Sequence, residues 1–480
     1  MIFPFIRIII LLLLIVSSTM LLPAGIALYY GEISALRSFL IPFFICLAAG
    51  TVFLFAGRDK KLKLSARSGF AVTACAWIFA SLLGAFPLFL SGSITSFTDA
   101  FFESVSGFTT TGATILSAVE NLPVSMNVWR CQMHWLGGMG IVALTVALMP
   151  LLGVGGFQLI KAETTGPEKG KFTPKITATA KILWFIYAGF TVIQTLLLML
   201  AGMNFPDAVS HTFATLGTGG FSTRNASVGA YNSAAVDWIC TVFMILAGVN
   251  FTLYFRIIQR KGKEVLENTE LKVYVSIIVI SILITASVIL PQYGTLSKAL
   301  RYSAFQVASI ITTTGFTTTD YTTWAPEAQL VLFFLMFVGS CSGSTGGSIK
   351  VIRWVVMAKQ MMNEIRRMLH PHGVFSIRIN GRAGRKDIVY SVTAFMFLYL
   401  MLLMITTLIA SLDGADLVTS LTASLATVGN IGPGFGKVGP VENYHFFSPL
   451  VKWWFSFAML AGRLELYTML IFFMPAYWKK

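Results

Sequence analysis

Charge is what this sequence has least of. Only 11% of its 480 residues are Asp, Glu, Lys or Arg, and just 20 are acidic, far too few for the surface of a soluble globular domain. Five cysteines, Cys46, Cys75, Cys131, Cys240 and Cys341, stand singly along the chain, which argues against a disulfide framework and a thiolate metal centre. The five histidines lack ligand spacing, and His370 and His372 fall in a basic loop where they read as solvated. No Ser/His pair, paired Asp or metal cluster is visible inside an apolar run, so an enzyme is not expected.

What the chain has instead is hydrophobic length. Apolar residues make up 56% of it and the mean hydropathy is +0.76. A bilayer core of about 30 Å needs about 20 apolar residues per helix, and ten segments qualify: Arg7–Tyr30, Leu36–Ala56, Phe70–Leu90, Met126–Leu152, Ile182–Met203, Ala234–Arg256, Leu271–Leu290, Glu327–Ala358, Ile388–Ser411 and Pro449–Tyr477. The runs are continuous rather than alternating, which fits helices and not a barrel. The first is too long for a signal peptide and is followed at once by a second, so it is expected to stay in the membrane. Most of the 35 Lys and Arg collect in Arg58–Arg67, Lys161–Lys181, Arg256–Lys272 and Lys350–Lys386. That is the positive-inside pattern, with both termini cytoplasmic, and it explains the net charge of +15 better than a nucleic-acid surface does.

Four polar stretches interrupt the apolar runs. They read DAFFESVSGFTTTGAT from Asp99, DAVSHTFATLGTGGFST from Asp207, YSAFQVASIITTTGFTTTD from Tyr302 and DLVTSLTASLATVGNIGPG from Asp416. Taking Gly112, Gly220, Gly315 and Gly429 as equivalent, the residue thirteen before is Asp99, Asp207, Tyr302 and Asp416. Nine before stand Glu103, His211, Gln306 and Ser420, and two before stand Thr110, Thr218, Thr313 and Thr427. Asp99, Asp207 and Asp416 then read as N-caps of short helices dipping halfway into the membrane. The expected organisation is an all-α membrane protein with ten transmembrane helices. Residues 1–66 form two leading spans, and 67–158, 159–262, 263–372 and 373–480 are four span, re-entrant helix, span repeats around one axis.

Irregular backbone at membrane depth survives only when buried in protein or lining water. Four helices aimed inward end with carbonyls near the membrane centre, each carrying about half a negative charge, which favours a cation. After them, Thr110-Thr111-Gly112, Thr218-Gly219-Gly220, Thr313-Thr314-Gly315 and Thr427-Val428-Gly429 can offer backbone carbonyls that replace the hydration shell of a monovalent ion. A divalent site would want carboxylates, and these runs contain none. The alternative is that small and hydroxyl residues here serve only close helix packing.

These four filters, with the GRLELYT motif at Gly462 to Thr468, resemble the Trk/Ktr/HKT superfamily of potassium transporters, and the two extra leading spans are most similar to its bacterial TrkH-type branch. The resemblance implies a pseudo-fourfold potassium pathway in a bacterial cytoplasmic membrane, a homodimer, and a cytosolic nucleotide-binding TrkA-type regulatory partner. Potassium is the transported ion and no cofactor is implied. Gly112 matches the potassium-preferring form, whereas plant relatives that carry sodium have serine there. The fourth filter, with Val428 and Asn430, departs most from the other three.

The eighth span is interrupted by a Gly- and Ser-rich run that includes Gly339, Gly343, Gly346 and Gly347. Such density of glycine weakens a helix by up to about 1 kcal/mol per residue, so a break lining a cavity is expected there. Arg463 lies midway along the last span, where a charge is costly and must face protein or water. Glu465 is a poor local partner for it. The resemblance places the matching arginine in the permeation path, so Arg463 and the 339–348 loop are read as the barrier to flow. The basic loops, above all Lys359–Lys386, are expected to meet anionic lipid or the regulatory partner. A coupled symporter, moving potassium with H⁺ or Na⁺, is the rival reading; the near absence of intramembrane acids other than Glu465 disfavours it.

Overall fold

The apolar runs fold as helices. In the computed structural model, which describes residues 2–56, 66–140, 176–380, 382–383 and 386–478, helices long and apolar enough to cross a membrane cover Phe5–Tyr29, Ile33–Phe53, Gly69–Leu90, Ala180–Leu200, Thr269–Tyr293 and Ile388–Ser411. Two bent pairs, Ala234–Ala247 with Phe251–Ile258 and Pro449–Arg463 with Tyr467–Phe473, raise the six to eight. Val124–Gly138 and Pro326–Phe337 begin the remaining two expected spans. Residues 141–152 of the fourth span, the basic stretches 58–65 and 161–175, and Lys479 and Lys480 lie outside the described residues.

Four times the chain leaves a spanning helix through a left-handed glycine, Gly92, Gly202, Gly294 or Gly414, with φ of 75, 101, 70 and 72°. Each reversal leads into a short helix: Phe97–Phe108, Phe205–Gly217, Leu296–Ile311 and Leu417–Val428. The caps correct the sequence expectation at two of three positions. Ser96 and Asn204 are the N-caps of the first two helices, accepting from the Asp99 and Asp207 amides at 3.4 and 2.8 Å. Asp416 caps the fourth, accepting from the Thr419 amide at 3.2 Å. Standing one turn inside their helices, Asp99 and Asp207 are free to pair with cations instead, Asp99 with Lys452 at 2.7 Å and Asp207 with Arg224 at 3.1 Å. Tyr302 lies well inside the third helix, which starts after Thr295 without a side-chain cap.

After each short helix the chain climbs back and enters a second apolar helix, and that helix stops early. One break was expected, in the eighth span. Among the described residues three are broken, at Gly248–Asn250 with a 90° bend, between Phe337 and Val351, and after Arg463 with a 116° bend, and the helix of the first unit ends at Gly138. Arg463 is therefore the last residue of a helix rather than the middle of one. A cation at a helix C-terminus complements the carbonyl pole.

The two leading helices lock onto the first of these units. Their connecting turn carries Glu32, whose carboxylate accepts from the Val124 amide at 2.7 Å and the Ser125 amide at 3.1 Å, and from the Ser125 hydroxyl. A carboxylate from a separate hairpin thus closes the open N-terminus of Val124–Gly138. Gln132 Nε2 adds a bond to the Thr19 carbonyl at 2.8 Å, and Phe39 packs edge-on to Trp129. Glu32→Ala is expected to lower stability by about 1–3 kcal/mol, read as a fall in Tm in detergent; an unchanged Tm would contradict this role.

Candidate functional site

Each short helix ends in the same turn. The residue after its last full turn is left-handed: Thr110, Thr218, Thr313 and Asn430, with φ of 55, 56, 58 and 53°. The next amide reaches back five residues to close the helix: Thr111 to the Ser106 carbonyl, Gly219 to Ala214, Thr314 to Ser309 and Ile431 to Ala426, at 2.8 to 2.9 Å. This is the Schellman closure, normally made by glycine. Three β-branched threonines in it cost about 1–3 kcal/mol each, a strain held by complete burial.

The following glycine, Gly112, Gly220, Gly315 or Gly432, has φ between 79 and 93°. A Cβ on Gly112 would sit 2.0 Å from the Gly219 carbonyl oxygen, on Gly220 2.1 Å from that of Thr314, on Gly315 2.4 Å from that of Ile431, and on Gly432 2.6 Å from that of Thr111. Each strand leans on the next and the fourth returns to the first. The result is a closed ring of four strands, with one carbonyl wedged at each seam and no room for a side chain.

The ring corrects the register of the fourth copy. Thr427 and Val428 belong to the last turn of its helix, and Gly429 has an ordinary φ of −82°. Asn430, Ile431 and Gly432 occupy the place expected for them. In this register Ser96, Asn204 and Asp416 all fall sixteen residues before their glycine, and Ala423 takes the position of Glu103, His211 and Gln306. Asn at the left-handed position is a signal the sequence did offer, since its side chain tolerates that conformation.

Behind the first strand lies a buried ion pair that sequence reasoning missed. Glu103 accepts from Arg130 Nε at 2.9 Å and Nη2 at 2.6 Å, from Thr114 Oγ1 at 2.9 Å and from the Ile115 amide at 3.0 Å. Arg130 also bonds Asn127 Oδ1 at 3.0 Å and lies over the Phe221 ring of the second strand. Hydrogen bonds on both partners offset the desolvation penalty of burying the pair. Glu270 is buried too. It accepts from the Ser342 amide at 2.7 Å, the Ser342 hydroxyl at 3.0 Å and the Ile352 amide at 3.2 Å. Both carboxylates are buried inside the protein and fully engaged by donors from neighbouring elements.

The 339–348 loop that Glu270 holds sits directly against the ring. Gly347 donates to Thr313 Oγ1 at 2.7 Å and Ser348 to the Gly429 carbonyl at 2.8 Å. On its other side Cys341 donates to the Gly248 carbonyl, and Gly343 accepts from the Phe251 amide, both at 3.0 Å. Close approach explains its glycines. A Cβ on Gly346 would lie 1.9 Å from Ser340 Oγ, on Gly347 2.4 Å from the Gly429 carbonyl oxygen, on Gly343 2.9 Å from Asn250 Oδ1 and on Gly339 2.3 Å from the Gly347 carbonyl oxygen. Arg463 completes the crossing, donating to the Thr345 carbonyl at 2.6 Å and to those of Gly137 and Gly138 at 2.6 and 2.9 Å. Its neighbour Glu465 pairs with Arg353, whose guanidinium also lies over Phe395. All four units therefore meet at this level.

The comparisons agree with this architecture. The family model TrkH, described as a cation transport protein, matches residues 35–480. The chain is 40% identical over 480 residues to the Trk system potassium uptake protein TrkH of Halomonas elongata, covering 99% of this chain and 98% of that one. It is 38% identical to the Escherichia coli protein of the same name, covering 99% of each. The crystal structure of the potassium transporter TrkH from Vibrio parahaemolyticus superposes with a TM-score of 0.88 at 36% identity, over the full length of both chains.

Two outcomes check the site. Gly432→Ala should cut cation flux at least about tenfold, since it adds both backbone strain and a clash worth a kcal/mol or more, whereas Thr427→Val should leave flux within about twofold because its hydroxyl bonds only the Ala423 and Ser424 carbonyls of its own helix. Glu103→Ala, which strands Arg130, should cost about 3–5 kcal/mol in denaturant unfolding, and Glu103→Leu with Arg130→Met should recover most of it.

Proposed function

This chain belongs to the TrkH family of cation transport proteins, and we propose that it takes up potassium across the bacterial cytoplasmic membrane by channel-like conduction along the axis of the four-strand ring. The observation that carries this reading is the closed ring of carbonyls at Thr111, Gly219, Thr314 and Ile431. Neutral oxygens in a ring suit a weakly hydrated monovalent ion that must enter and leave quickly. The carbonyl ends of four converging helices add negative potential at the same level. Potassium uptake is also what the names of the Halomonas and Escherichia relatives state.

Conduction needs a barrier, and the 339–348 loop with Arg463 is our candidate. The loop obstructs the path below the ring, and the guanidinium opposes a dehydrated cation with its own charge. Opening then requires Arg463 to release the Thr345, Gly137 and Gly138 carbonyls together. The loop runs straight into the helix Val351–Leu369 and the basic segment that follows, so a cytosolic nucleotide-binding TrkA-type subunit pulling there would move the gate. In the same reading both termini are cytoplasmic, the repeats run over 67–158, 159–262, 263–372 and 373–480, and the protein is a homodimer.

Purified protein in liposomes should carry a potassium current whose reversal follows the potassium gradient with or without an imposed proton gradient. A reversal potential that moves with the proton gradient would replace conduction by coupled symport. Arg463→Ala should raise basal rubidium flux at least about tenfold by removing the opposing charge, and unchanged flux and gating would remove this arginine from the barrier.

A further inference from the structure

The ring is fourfold in its backbone but not in what stands behind it. In the first and third strands a pair of threonine hydroxyls lies outside the carbonyls: Thr109 Oγ1 to Thr111 Oγ1 at 2.8 Å and Thr312 Oγ1 to Thr314 Oγ1 at 2.7 Å. The second strand has glycine at both places, Gly217 and Gly219. Nothing in the turn chemistry asks for glycine there, since the left-handed residue between them is Thr218.

The space is filled from another unit. His134, on the second helix of the first unit, presses its imidazole against the strand: a Cβ on Gly219 would lie 2.2 to 2.5 Å from the ring's Cγ, Nδ1 and Cδ2. A Cβ on Gly217 would lie 2.4 Å from the His134 carbonyl oxygen. The ring is bonded at both ends. Its Nδ1 is 2.7 Å from the Gly107 carbonyl oxygen, in the last turn of the first short helix, and its Nε2 is 3.2 Å from the Phe221 amide, directly after Gly220. A carbonyl can only accept and an amide can only donate. The neutral tautomer with hydrogen on Nδ1 is the one that satisfies both.

We propose that His134 is a positioning residue for ion selectivity, a strut between the first short helix and the second strand that stands in for the threonine pair this strand lacks. It fixes the Phe221 amide and, through the rigid Gly219-Gly220 backbone, the carbonyl at the first seam of the ring. This inference rests on the reading of the ring as a selectivity filter, and Gly219 is glycine because the strut occupies its side-chain space.

The test is a set of variants in liposomes, read as the ratio of potassium to sodium permeability, with assembly followed by size-exclusion chromatography. His134→Leu keeps volume but loses both bonds, and the ratio should fall about tenfold, the effect of one lost buried hydrogen bond on a competition. His134→Gln can donate to Gly107 and accept from Phe221, and should hold the ratio within about threefold. If the Leu variant does not assemble, His134→Asn, too short to reach both partners, takes its place with the same expected fall. A ratio unchanged in His134→Leu, or in the Asn variant standing in for it, overturns the proposal, as does an equal fall in His134→Gln. Gly315→Ala separates the two readings. If it alters the ratio while the His134 variants do not, the strut fails and the filter stands; if neither alters it, the filter reading fails as well.

Discussion

A backbone that stops being helical inside lipid must find a partner for every amide and carbonyl it releases, because no water is there to take them. Among the described residues this chain ends or interrupts helices at Gly138, Gly248, Phe337 and Arg463 and meets that demand by mutual exchange. The carbonyls of Gly137, Gly138 and Thr345 are taken by Arg463, that of Gly248 by the Cys341 amide, that of Gly343 by Phe251 and that of Gly429 by Ser348. Every donor comes from a different element than its acceptor. The breaks are consequently solutions to one another. The buried carboxylate of Glu270 takes the Ser342 and Ile352 amides at either side of the loop, while Arg463 and the buried Lys350 take the Thr345 and Gly346 carbonyls in its middle.

Symmetry of backbone has been kept while the supporting chemistry has diverged. The same position along the short helices holds a carboxylate in an ion pair, a histidine, a glutamine and an alanine: Glu103, His211, Gln306 and Ala423. His211 bonds the Asp207 carbonyl at 2.8 Å and Ser222 Oγ at 2.9 Å, supporting its own strand from within. The fourth strand is instead tied across the ring by Asn430, whose Nδ2 donates to Thr111 Oγ1 at 2.9 Å and the Met459 carbonyl at 3.0 Å. A repeated geometry needs only the closing turn and the glycine to be preserved. What holds each copy from behind is set by its local neighbours.

This division explains what could be read from the sequence. Spans, repeats and three of the four strands were legible because hydropathy and a glycine after a threonine are local signals. The fourth strand was misplaced because Thr427-Val428-Gly429 imitates the pattern three residues early, and the decisive evidence, a common distance from the helix caps, required knowing that Ser96 and Asn204 are the caps. The breaks at Gly248 and Arg463 were hidden because a three-residue interruption barely changes the average hydropathy of a 20-residue window. The pairing of Glu103 with Arg130 had no local signature, since nothing along the chain marks two residues on different helices as neighbours.

The turn at Glu32 carries a mechanical meaning beyond its bonds. Strand order in the ring places the third unit diagonally across from the first. The first is the one clasped by the leading hairpin, and the third carries the long irregular loop. A fourfold arrangement is thus clasped on one side by a helical hairpin and on the opposite side by an irregular loop held through its backbone. The two sides are nonetheless coupled, because Arg463 holds the loop at Thr345 and the clasped unit at Gly137 and Gly138 at once.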